Sequence, residues 1–205
     1  MRSRYRLPVM KYLIIIALIL PIEFFGQIRY EDQTIDDFAI AYAPENSILI
    51  YKPFEVKWEN SEGIVAFYEQ PYTLRTESYK RIIAMMFESK FKKHYQTYII
   101  DTIFNEGGAP KIKTAFVVNA DNDKEVELAI IVMWPQQNKI VNGNLFGTFL
   151  YDFNTSKKYR KFKLLEKLSD KLSGDCECTW DDGTEKISKY KTEEDIKIGL
   201  RNLGY

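Results

Sequence analysis

The sequence predicts an α+β domain: antiparallel β-sheet in two hairpin-rich sections, packed against one long amphipathic helix and two C-terminal helices. Three observations carry that expectation. Apolar residues alternate with polar ones over 54–58 and again over 112–134, with turn clusters between the runs. From Tyr79 to Ile99 the apolar residues recur at three- and four-residue steps, the spacing of one helix face. Past residue 156 a leucine-rich stripe of the same period appears, and a capping pattern at Thr192 and Asp195 follows it.

Residues 1–26 are set apart from the fold. Arg2, Arg4, Arg6 and Lys11 precede the apolar run Tyr12 to Leu20, which Pro21, Glu23 and Gly26 close. A basic head, a short apolar core and a breaker make up a secretory signal, and the core is shorter than the ~20 residues a bilayer crossing takes. The expected location is therefore exported: periplasmic, cell-envelope or secreted. Cleavage after Gly26 would put Phe24 where a small side chain is preferred, so an uncleaved N-terminal anchor is the alternative. Met10 and Lys11 ahead of the apolar run would also start a compact signal. No Cys lies near the end of the segment, which excludes a lipoprotein anchor.

Residues 27–205 have the length of one domain, with a subdivision near residue 71 as the alternative. A chain of this size buries ~70% of its unfolded surface and needs no staple. Formal net charge is zero, so the molecule as a whole has no bias toward polyanions, and nucleic acid is not an expected partner. Its 14 Tyr and 13 Phe point to β-rich structure, since aromatic rings fit a pleated surface, or to an exposed aromatic platform.

In chain order, Phe38 to Ala43 alternates large and small apolar residues and reads as a buried strand. Ser47 to Tyr51 is a second short run. Phe54, Val56 and Trp58 alternate with charged residues, the turn 60–63 follows, and Ile64 to Tyr68 returns as the partner strand; Pro71 closes the section. The long helix is expected next, capped by Thr73 or Thr76 and carrying Tyr79, Ile82, Ile83, Met86, Phe87, Phe91, Tyr95 and Tyr98 on one stripe until Gly107, Gly108 and Pro110. Ile112 to Val118 and Val126 to Trp134 read as a hairpin around the 121–124 loop, and Leu145 to Phe153 as a third strand. A helix from Ser156 would then run to Gly174 with Tyr159, Phe162, Leu165, Leu168 and Leu172 inward. Cys176 to Trp180 and Glu185 to Tyr190 form a small hairpin before the last helix, which ends near Gly204.

Most catalytic signatures are missing or incomplete. Ser89 and Lys92, like Ser188 and Lys191, match a serine–lysine pair without its companion elements. No Gly-x-Ser-x-Gly, His-Glu-x-x-His, phosphate loop or dinucleotide fingerprint occurs. His94, the single histidine, reads as a partly buried helix residue, with a catalytic base as the sharper alternative. Asp121, Asp123 and Glu125 imitate the opening of a helical calcium loop, but Val126 and Val132 stand where that loop needs Gly and Glu. A solvated turn accounts for these acids. No metal or other cofactor is expected. Asn154, Thr155 and Ser156 form a glycosylation sequon, meaningful in a eukaryotic source.

Cys176 and Cys178 are the only cysteines. On a strand they share a face about 6.6 Å apart between Cα atoms, at the edge of the 4.4–6.8 Å a disulfide spans. In an oxidising compartment exposed thiols pair, so an internal bridge is expected, with intermolecular pairing, buried thiols and a metal as alternatives.

The strongest pointer to a partner is the basic stretch 157–171, which contains Arg160 and has Lys163, Lys167 and Lys171 at four-residue steps. On a helix such like-charge pairs each cost about 0.2–0.5 kcal/mol, which an anionic partner would offset. The expected function is a non-catalytic exported binding or interaction domain whose partner is a cell-envelope protein, a glycan or an anionic lipid. A small periplasmic hydrolase working through carboxylates or His94 is the alternative, and a structural subunit of an envelope complex is a third.

Overall fold

The computed structural model describes residues 26–58, 61–154 and 161–205. The leader, the helix cap at Ser156, Tyr159 and Arg160 lie outside the described residues. The chain forms four layers: one helix, two face-to-face antiparallel sheets, then two helices. The first sheet has the order β1-β5-β4-β3-β2, built from β1 (Gln27–Ile28), β2 (Ile48–Trp58), β3 (Ser61–Leu74), β4 (Glu77–Phe91) and β5 (His94–Ile103). The second contains β6 (Lys111–Val118), β7 (Glu127–Gln137), β8 (Val141–Asn154), β9 (Lys161–Leu164), β10 (Asp175–Trp180) and β11 (Glu185–Lys186). Its order is β11-β10-β8-β7-β6, with β9 also paired to β8.

The central core is the space between the sheets. Val65, Phe67, Ile82, Ala84 and Met86 meet Leu128, Ile130, Val132, Trp134, Tyr151 and Phe153 there. The alternate residues of the same strands serve the outer layers. Ile64, Ala66, Tyr68, Ile83, Met85 and Phe87 receive Phe38 and Ala39 of α1 (Ile35–Ala41). Phe116, Ala129, Ile131, Phe146 and Leu150 receive Leu168 of α2 (Glu166–Lys171), Leu172 just past it, and Ile196 and Leu200 of α3 (Glu193–Leu203). Each of the larger side chains, fully buried, stabilises by about 1.5–3 kcal/mol.

That double burial overturns the expected long helix. Residues 77–103 are two paired strands, not a helix. Ile82 to Phe87 is a continuous apolar run because both faces of β4 are covered, and such a run also satisfies helical spacing. The two turns that break it carry no Gly or Pro. Arg75 and Lys92 take the left-handed backbone instead, at φ 58° and 52°. β3 runs through Pro71, which faces Lys80 of β4.

The expected strand at 38–43 is the helix α1. Thr34 caps it, accepting the N–H of Asp37 at 3.1 Å. Phe38 and Tyr42, one turn apart, pack their rings at 5.0 Å, while Ile40 faces solvent.

The expected helix from Ser156 to Leu172 shrinks to the six residues of α2, and 161–164 is strand. β8 explains why. One side of this long strand pairs with β10 over 141–146 and with β9 over 151–154. Between them α2 and the residues just after it supply the partners: Ser173 Oγ accepts the N–H of Thr148 at 2.6 Å, and Ser169 Oγ accepts that of Leu150 at 3.0 Å. The carbonyls of Leu150 and Phe146 accept the N–H groups of Leu165 and Gly174. A longer helix would leave buried β8 groups without partners.

Other expected elements form as read. The hairpins β2–β3, β6–β7 and β10–β11 are present, the last with a second strand of two residues, Glu185–Lys186, in place of the expected 185–190. Thr192 and Asp195 make a reciprocal capping box, and Gly204 closes α3 at φ 92°. Gly199 of α3 lies directly against Leu172, just past α2, because it has no side chain: a Cβ there would stand 2.6 Å from Leu172 Cδ2. The facing edge strands β2 and β6 are blunted by bulges, by Pro53 and by the exposed Lys111 and Lys113.

Candidate functional site

One end of the sandwich gathers polar chemistry around the β6–β7 turn. Val118 pairs with Glu127, and Asp152 pairs with Lys163. Glu127, Asp152 and Lys163 alternate with residues of the central core, so all three side chains rise on the helix-covered face. Glu127 is 1% exposed, and its carboxylate accepts the N–H of Ala120. Asp121 and Asp123 stand beside it, with carboxylate oxygens of the three acids all within 4.8 Å of one another.

Burial pushes the Glu127 carboxyl up to about 7, the Ala120 N–H opposing this and the charges of Asp121, Asp123 and Asp152 adding to it. Asp152 is also raised, by burial and by Asp121, with Lys163 pulling the other way. Both acids are thus displaced upward at one end of the fold.

The turn itself engages the two aspartates. Asp121 Oδ1 accepts the N–H of Asp123 at 3.2 Å, and Asp123 Oδ1 accepts that of Glu125 at 2.6 Å. Asn119 accepts the N–H of Asn122, which sits at φ 64°. Asn122 in turn donates to the carbonyl of Gly204, fastening the end of α3 to the turn. Oxygen donors of this kind suit a hard divalent cation. Their hydrogen bonds within the turn account for the clustering without one, and the cluster alone specifies no ligand.

Beside the turn lies an open groove of about 580 Å3. Lys163 and Lys167 rim it together with Asp121 and Glu166, Leu165 and the largely buried Leu168 supply apolar surface, and Leu164 and Tyr205 complete the lining. β9 and α2 present Lys163 and Lys167 on different elements joined at Leu165, so they meet at the groove by a change of chain direction rather than along one helix.

The other expected residues lie elsewhere. Lys171 is exposed at the C-terminal end of α2 and does not line the groove. Arg160 is outside the described residues. His94 is an exposed strand residue at the β4–β5 turn, not a half-buried helical one. Cys176 and Cys178 sit on β10 opposite Leu145 and Gly143, far along β8 from Asp152. Their Cα atoms are 5.3 Å apart, closer than the 6.6 Å or so of an ideal strand, and their sulfurs are in close contact. Gly143 makes the room: a Cβ there would stand 2.1 Å from the carbonyl oxygen of Glu177 and 3.0 Å from Cys178 Sγ.

The sequence reading missed Glu127, Asp152 and Tyr205 as site residues. Strand alternation places Glu127 on the correct face, but its burial depends on the 119–125 turn folding over it. Comparison with family models, curated proteins and solved structures returned no match.

Proposed function

We propose that this chain is an exported, non-catalytic binding domain of the cell envelope that takes an anionic amphipathic ligand in the groove between β9, α2 and Tyr205. Lys163 and Lys167 would face the anionic group, and Leu165 and Leu168 the apolar part. The observation that carries this reading is the juxtaposition of two exposed lysines with leucines around one open concavity. The leader supports export, and the close pair Cys176 and Cys178 supports an internal disulfide formed in an oxidising compartment.

Calorimetric titration with dodecyl phosphate below its micelle concentration tests the groove. Replacing both lysines (K163E with K167E) should weaken binding at least ~10-fold, the scale of 1.4 kcal/mol, while K171E leaves it unchanged. Equal affinity in the double variant and the parent protein removes the proposal.

The carboxylate-hydrolase alternative is favoured by one observation, the raised Glu127 and Asp152 beside Lys163. Hydrolysis of glycoside or ester substrates that E127Q abolishes, with the fold intact, would establish it. A flat rate across such substrates with the parent protein would dismiss it.

A further inference from the structure

The β4–β5 turn carries an exposed aromatic ring in a basic setting. Phe91 is 67% exposed at the end of β4, beside the two-residue turn Lys92–Lys93. The Lys92 ammonium lies 5.3 Å from the Phe91 ring centre, and no carboxylate among the described residues is within ion-pair distance of it. Lys93 pairs with Glu31 at 2.5 Å, both exposed, and Lys90 pairs with the buried Glu88. His94 is exposed on the other side of the turn, and exposed Lys57, opposite Glu62 and one residue before the end of β2, lies beyond β3. The segment from Ser89 to Tyr95 contains no acidic residue.

The turn is braced from one side by β1. β1 pairs Gln27 with Tyr95 and Ile28 with His94, and the N–H of Arg29 donates to Lys93 at 3.0 Å. A single ring flanked by lysines is too small for a stable protein interface, which needs roughly 800 Å2 per partner. It suits a bilayer interface, where an aromatic ring sits at headgroup level and lysine stems lie along it with their ammonium groups on anionic headgroups.

We infer that the Phe91–Lys93 turn docks on an anionic phospholipid surface, the ring entering the interface and Lys92 and Lys93 contacting the headgroups. The groove lies at the same end of the sandwich, since Trp58 at the tip of β2 packs on Phe153 and Phe162 of β8 and β9. This inference does not depend on the groove reading.

The test is F91W in the full chain, with the emission of the native tryptophans subtracted using the parent protein. Vesicles of phosphatidylglycerol should shift the new emission to the blue, and a brominated analogue should quench it, whereas phosphatidylcholine vesicles should do neither. K92E with K93E should weaken vesicle binding of the F91W chain by at least ~10-fold, from about fivefold per lysine. A retained leader would hold the F91W chain and its charge-reversed form alike, so the difference in quenching between them reads the turn. K163E with K167E should leave the quenching intact, which separates this contact from the groove. Tryptophan emission at 91 that neither shifts nor quenches overturns the inference, as does a charge-reversed turn with undiminished affinity.

Discussion

The hydroxyl of Ser169 accepts the backbone N–H of Leu150 at 3.0 Å, and both residues are buried. This contact fills the gap in the β8 ladder between β9 and β10, so a helical side chain stands in for a strand. S169A leaves a buried donor without a partner and should lower stability by about 1–3 kcal/mol. Urea unfolding of the two proteins measures it. An unchanged midpoint would mean that the β8 ladder closes without α2.

Glu127 makes stability depend on pH. Its carboxyl holds a proton up to about 7 in the fold, against 4.5 for the ordinary group. Between those values the folded chain binds more protons than the unfolded one, so stability falls as pH rises through this window. The loss is at most about 3 kcal/mol from this residue. E127Q should flatten the slope between pH 5 and 7 and make the protein more stable than the parent at pH 8. Denaturation midpoints across pH would show it, and parallel profiles for the two proteins would refute it.

Gly143 is the position where β8 and β10 tolerate no side chain. A Cβ would stand 2.1 Å from the Glu177 oxygen and 2.7 Å from Cys178 Cα, both backbone atoms that cannot swing aside. G143A should cost about 1–3 kcal/mol or more. The same penalty should persist in a C176S, C178S background, because the closest contact is to the backbone. Thermal unfolding of the four proteins separates the two effects, and rescue by the serines would locate the strain at the sulfurs.

The bridge proposed for the close pair Cys176 and Cys178 should be a weak staple. It spans a sequence separation of only two residues, so the chain entropy it removes from the unfolded state is worth about 1.5 kcal/mol. Dithiothreitol should therefore lower the thermal midpoint by a few degrees and leave the far-ultraviolet spectrum native. Complete unfolding on reduction would show that the bond holds β10 in place.

The lysines were legible as a basic segment, but not their arrangement. Four-residue spacing predicts one ridge on one helix, whereas Lys163 leaves β9 beside Asp152 and Lys167 leaves α2. The break at Leu165 exists because β8 requires strand partners at both ends and hydrogen-bonding serines between them. Nothing local to 157–171 encodes that requirement.

What the residues decide for themselves here is local. Thr192 and Asp195 fix the start of α3, Gly204 fixes its end, and the alternation of Phe54, Val56 and Trp58 fixes which face of β2 turns inward, each through hydrogen bonds or solvent exposure within a few positions. Tertiary structure alone decides the identity of Ile82 to Phe87. With one face open, a strand would have shown period two; covered on one side by α1 and on the other by the second sheet, it becomes uniformly apolar and loses the signal that separates strand from helix. The same covering, by the 119–125 turn, converts Glu127 from a surface acid into a buried proton-holding group, because desolvation acts on the folded environment and leaves no mark on the sequence.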